Sequence, residues 1–84
     1  MNTITKFYTD GCMNCKALGG ILDRVKAENP SIKYLEVNTK DDKAAKYEIT
    51  SLPTLVFEKD GQEVGRLVGL KPQSLITKKI QEVF

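Results

Sequence analysis

The chain predicts an α/β domain in the order β-α-β-α-β-β-α, with a four-stranded mixed sheet flanked by three helices. Three observations carry that expectation. "TITKFYT", Thr3 to Thr9, is followed directly by a run with helical spacing and then by a second strand-like segment, the pattern of a strand–helix–strand unit. "TLVFE" and the segment from Gln62 to Val68 flank "KDG", a tight-turn signal that makes them an antiparallel hairpin. The length, 84 residues, suits one small core, so residues 1–84 read as a single domain without linker or repeat.

Each element follows from its residues. β-branched and aromatic types make Thr3–Thr9 the first strand, and Asp10-Gly11 breaks it. From Met13 to Glu28 the apolar positions Cys15, Leu18, Leu22 and Val25 recur at helical spacing, and Asn29-Pro30 ends the run. Gly19 and Gly20 each cost about 1 kcal/mol relative to alanine and are the weak point of this helix. Ile32–Asn38 is the second strand, parallel to the first through a right-handed crossover. Thr39 with Asp42 resembles an N-terminal capping box and opens a short helix reaching Tyr47. "TSLPT" interrupts, Thr54–Glu58 is the third strand, and Gln62–Val68 returns beside it until Gly69 closes the hairpin. Pro72 suits the first turn of a final helix with Ile76, Ile80 and Val83 on its apolar face, flanked by Leu75 and Phe84.

Positive and negative charges are interspersed and the net charge is +2, so a nucleic-acid partner is not expected. No apolar run approaches the roughly 20 residues that span a bilayer, and "MNTITKFYTD" lacks the core of a signal peptide. The expectation is a monomeric cytoplasmic protein that avoids membranes. In that compartment thiols stay reduced and a permanent disulfide is disfavoured.

Both cysteines fall in "TDGCMNCKALGG". Cys12 stands where the first strand gives way to the first helix, facing unpaired N–H groups and the positive end of the helix dipole. That end favours a thiolate by up to about 2 kcal/mol. It also makes Cys12 a better leaving group. Cys15, one turn later, points to the packed side and suits a buried resolving thiol. Closing so small a ring adds little chain-entropy stabilisation, so a reversible redox pair uses the spacing better than a structural staple does. The rival from another class is metal carriage: small βαββαβ domains also place C-x-x-C between first strand and first helix, and two thiolates suit Cu(I). A second helix before the hairpin counts against it. A closed zinc site is short of ligands, with two cysteines and no histidine.

With "FYTDGCMNCK" and "SLPTLVFEKDGQEVGRLVG" together, the chain resembles the thioredoxin superfamily over nearly all its length. It looks like a short thioredoxin/glutaredoxin-like redoxin with a C-M-N-C active site: a minimal thioredoxin fold, without the extra N-terminal strand and helix of full-length members. The resemblance implies a dithiol–disulfide oxidoreductase that reduces protein disulfides through Cys12 and Cys15 by way of a mixed disulfide, with no metal or organic cofactor. It implies a cis Leu52–Pro53 bond beside the cysteines. Leu52, Pro53 and Thr54 would then offer main chain to an extended substrate, and Gly69 would line the same groove. Met13 and Asn14 replace the family's usual intervening dipeptides, which meet substrate and set redox poise, and Gly11 replaces a tryptophan. "VGLKPQSL" stands where glutaredoxins carry a glutathione-holding Gly-Gly-Asp, which favours an NADPH-dependent thioredoxin-reductase-like flavoenzyme as electron source. The alternative is a glutathione-linked glutaredoxin or a ribonucleotide-reductase donor, since "GLKP" distantly resembles the "GFRP" of such donors.

Thioredoxins carry a buried acid six residues before the first cysteine and a lysine on the neighbouring strand. Here the acid's position is Lys6 and the lysine's is Glu36, so the charges are exchanged. Strand parity groups Lys6 with Ile4 and Tyr8, and Glu36 with Tyr34 and Asn38, which lets both meet on one sheet face. In the catalytic reading Glu36 accepts the proton and Lys6 favours the Cys12 thiolate. In the plainer reading they form a structural or solvated ion pair, the commoner case.

Overall fold

The strands β1 (Asn2–Tyr8), β2 (Lys33–Asn38), β3 (Thr54–Lys59) and β4 (Gln62–Val68) and the helices α1 (Met13–Glu28), α2 (Asp42–Ala45) and α3 (Gln73–Val83) follow one another in the expected order. The computed structural model describes all of residues 1–84. The sheet order is β2-β1-β3-β4, with β1 parallel to β2 and the other two pairings antiparallel.

Side-chain alternation along the strands builds two cores. On one face Ile4, Leu55 and Phe57 pack with Leu18, Leu22 and Val25 of α1 and with Ile76 and Ile80 of α3. On the other face Phe7 and Val56 pack with Ala44 of α2. The buried residues of α1 are Cys15, Leu18, Leu22 and Val25, the same four that helical spacing selects. By parity Lys6 lies in the row of Ile4, on the face that α1 and α3 cover.

Three boundaries depart from expectation. The cap of α2 is Asp41, whose carboxylate accepts the Lys43 N–H at 2.9 Å, and not Thr39. The helix stops at Ala45, leaving Tyr47 in a turn that Glu48 closes with a φ of 52°. Pro72 has an extended ψ of 158° and caps α3 from outside its first turn. Elsewhere Asp60 and Gly61 take consecutive positive φ values of 52° and 83°, the backbone of a two-residue hairpin turn that matches strand twist.

Register shifts between Phe57 and Glu58, which face Gly65 and Glu63, so Val64 is the extra residue of a bulge. Arg66 spans it. Its Nε and Nη2 donate to the two carboxylate oxygens of Glu63 at 2.6 and 2.7 Å, and its Nη1 donates to the Tyr47 carbonyl at 3.1 Å. The Arg66 hydrogen bond holds the Glu63 carboxyl below its usual range, against an opposing effect of burial. This contribution is present above the ordinary glutamate value and is lost as pH falls through the lowered one. The pair is about a third exposed. Glu63→Gln should therefore cost less than about 1 kcal/mol at neutral pH. Urea melts should show that difference at pH 7 and its decline as the pH is brought below the ordinary glutamate range.

Candidate active site

The Asp10-Gly11 turn ends β1 and delivers Cys12 to the start of α1, with Gly11 at a φ of 76° that favours glycine. Two contacts of the Asp10 carboxylate, from Asn38 Nδ2 and Lys40 Nζ, each 3.4 Å, tie this turn to the end of β2. Cys12 is the N-cap itself. Its Sγ accepts the Cys15 N–H at 3.1 Å, the place a serine or aspartate oxygen usually takes. No acidic residue stands in the first turn of α1, so the helix's positive end acts on this sulfur without an opposing carboxylate on the helix.

Cys12 and Cys15 are joined in a disulfide. Their burial differs: Cys12 is partly exposed, whereas Cys15 is 3% exposed on the buried face of α1. Met13 and Asn14 between them are exposed, Met13 by 84%.

A pocket of about 350 Å³ opens beside the disulfide, walled by Lys6, Tyr8, Cys12, Met13, Cys15 and Glu36 among others. Lys6 and Glu36 are direct register partners across β1 and β2, and Lys6 Nζ lies 3.6 Å from Glu36 Oε1. The expected shared face and exchanged charges are thus both present. The Lys6 side chain is 9% exposed and that of Glu36 is 56% exposed, so the pair is half buried and half wet. Tyr8, expected from the sequence in the core or a groove wall, walls the pocket, whereas Gly19, which reads from the sequence only as a weak point of α1, lies against the Lys6 ammonium.

Leu52, Pro53, Thr54 and Gly69 form a second cluster, outside the pocket's walls. The Leu52–Pro53 peptide is cis. The Gly69 N–H donates to the Pro53 carbonyl at 2.7 Å, and the Thr54 hydroxyl donates to the Ser51 carbonyl at 2.7 Å. Leu52 makes no backbone–backbone hydrogen bond within the chain. The pairing of Thr54 with Phe7 puts this cluster at the end of the sheet where β1 runs out toward Cys12.

A family model described as Thioredoxin matches residues 1–82. Thioredoxin of Chlamydia pneumoniae is 36% identical over 81 residues, covering 94% of this chain and 79% of that protein. Thioredoxin of Staphylococcus aureus is 36% identical over 73 residues, covering 83% of this chain and 70% of that protein. The X-ray structure of Fasciola hepatica thioredoxin matches with a TM-score of 0.88 and 27% identity, covering 99% of this chain and 81% of that one. The observed element order also differs from that of the βαββαβ metal carriers. The chain therefore belongs to the thioredoxin family and is a dithiol–disulfide oxidoreductase built on the Cys12–Cys15 pair.

Proposed function

We propose that the chain reduces disulfides of protein substrates, with Cys12 as attacking thiolate and Cys15 as resolving thiol. Cys12 Sγ attacks one sulfur of the target disulfide, forms a mixed disulfide and expels the target's other sulfur as a thiolate. Cys15 Sγ then attacks Cys12 Sγ, the Cys12–target bond breaks, and the second target thiolate leaves. The target gains two electrons and the chain is left with the Cys12–Cys15 disulfide. The observation that carries this division of roles is the difference in burial, with the N-capping sulfur of Cys12 reachable and that of Cys15 covered. The unpaired backbone of Leu52 supports a main-chain grip on the target, with Pro53, Thr54 and Gly69 fixing that edge and Met13 and Asn14 as exposed neighbours.

Electrons return to the pair from an NADPH-dependent thioredoxin-reductase-like flavoenzyme, and the protein works as a cytoplasmic monomer. The test is reduction of a disulfide-bonded protein with NADPH and thioredoxin reductase, run beside NADPH, glutathione and glutathione reductase. Turnover is expected with the flavoenzyme. Turnover with glutathione alone would overturn the electron source.

A further inference from the structure

We infer that Lys6 sets the reactivity of Cys15: its buried ammonium favours the Cys15 thiolate, and Gly19 keeps the seat for that ammonium open. The inference rests on Cys15 being the resolving thiol, as proposed above. It also divides the work of Lys6 and Glu36 differently from the catalytic reading of the sequence, which pairs Lys6 with Cys12 and makes Glu36 the proton acceptor.

The Lys6 ammonium is buried with incomplete partners. Lys6 is 7% exposed, among core residues of β1. Its Nζ lies 3.5 Å from the Cys15 carbonyl oxygen, 3.6 Å from Glu36 Oε1 and 5.6 Å from the centre of the Tyr8 ring. Charge-assisted hydrogen bonds are usually about 2.7–2.9 Å long, so both polar contacts are weak. Glu36 is the solvated partner, and water screens its carboxylate far more than it screens the ammonium. The balance at the buried end of the pocket is positive.

That charge sits on the turn of α1 that carries Cys15. Burial disfavours a thiolate in general, and a buried resolving thiol is a slow nucleophile once a mixed disulfide forms. A cation beside its own turn opposes that effect. The titratable groups around the pocket are Lys6 and Tyr8 from β1, Glu36 from β2, and Cys12, Cys15 and Lys16 from the start of α1. Lys16 is exposed and Tyr8 is partly exposed, so Lys6 is the one buried cation among them.

Gly19 is the independent observation. A Cβ at this position would stand 3.3 Å from Lys6 Nζ, tighter than ordinary van der Waals contact. Glycine is the least favoured interior helix residue after proline, and here it leaves room for the ammonium. In the resolving step the Cys15 proton goes to water through the open pocket before attack. The Cys15 thiolate then bonds to Cys12 Sγ and the target leaves as a thiolate.

The test is a titration of the reduced protein with ¹³Cβ-labelled cysteine, read alongside stopped-flow release of a target from its mixed disulfide. Lys6→Met should move the Cys15 midpoint up by about one pH unit and slow release about threefold below that midpoint, because the tenfold loss of thiolate is partly offset by its greater nucleophilicity. Methionine is unbranched and only one atom shorter, and the Glu36 carboxylate left behind is 56% exposed and solvated, so the variant should still fold. Gly19→Ala should shift Cys15 in the same direction by less, in a helix that melts no earlier. Glu36→Gln should move the Cys15 midpoint down or leave it in place, without slowing release. An unmoved Cys15 titration in Lys6→Met, or slow release in Glu36→Gln, would overturn the inference. Activity in Cys12→Ser would instead overturn the underlying assignment of roles.

Discussion

Cys12→Ser is expected to bring the reduction of protein disulfides down to the uncatalysed background, while Cys15→Ser still attacks its target and then stalls. The two substitutions change one atom each but act on opposite halves of the exchange. Serine at position 12 remains a good N-cap, so its hydroxyl can take the Cys15 N–H that Cys12 Sγ now accepts, and α1 should keep its start. Lost activity in that variant is then lost nucleophile, not lost fold. In Cys15→Ser the partly exposed thiolate at position 12 survives with its helix-end stabilisation. The first exchange goes forward, but no thiol stands beneath it to displace the target. Intact-mass measurement without reductant should find a one-to-one covalent adduct with a disulfide-bearing protein, and dithiothreitol should release it. Normal turnover in Cys15→Ser would remove the resolving role, and an adduct on Cys12→Ser would reverse the assignments.

Much of this arrangement is legible in the residues. Helical spacing from Cys15 to Val25 selects the buried face of α1, and period-two alternation assigns Lys6 and Glu36 to one sheet face, where they are direct partners. The cap of α2 is ambiguous in the sequence because Thr39, Asp41 and Asp42 all suit the start of a helix. Local geometry chose Asp41, whose carboxylate reaches the Lys43 N–H. Parity has a further limit. It tells which face Lys6 occupies but not which turn of α1 its long side chain meets, a matter of packing between elements distant in sequence. The role of Gly19 is hidden for the same reason. On propensity alone it is a flaw in a helix, and only the position of Lys6 Nζ gives it a purpose.

The largest stability effect is expected from Phe57→Ala. Phe57 is fully buried at the centre of the larger core, opposite Ile4 on β1 and Gly65 on β4, with its ring 5.9 Å from that of Phe84. Removing a buried phenylalanine ring costs about 3–5 kcal/mol, from lost transfer free energy together with the cavity left behind. At about 0.05–0.15 kcal/mol per residue, a domain of this length has roughly 4–13 kcal/mol in total. The substitution therefore removes between about a quarter and all of the stability. Leu75→Ala is the contrast. Leu75 flanks the apolar face of α3 but is 45% exposed, and its loss should stay within about 0.5 kcal/mol. Urea unfolding of the oxidised proteins should show Phe57→Ala with a much lower midpoint at an unchanged slope, or already unfolded without urea, and Leu75→Ala close to the unmodified chain. Comparable losses in the two variants would mean that the core is not centred on the β1–β3 face that α1 and α3 cover. The active site depends on that same packing, because α1 lies on this face through Leu18, Leu22 and Val25 and carries Cys12 and Cys15 at its start. Phe57→Ala should then lose disulfide reductase activity in step with its folded fraction, although no atom of Phe57 reaches the pocket.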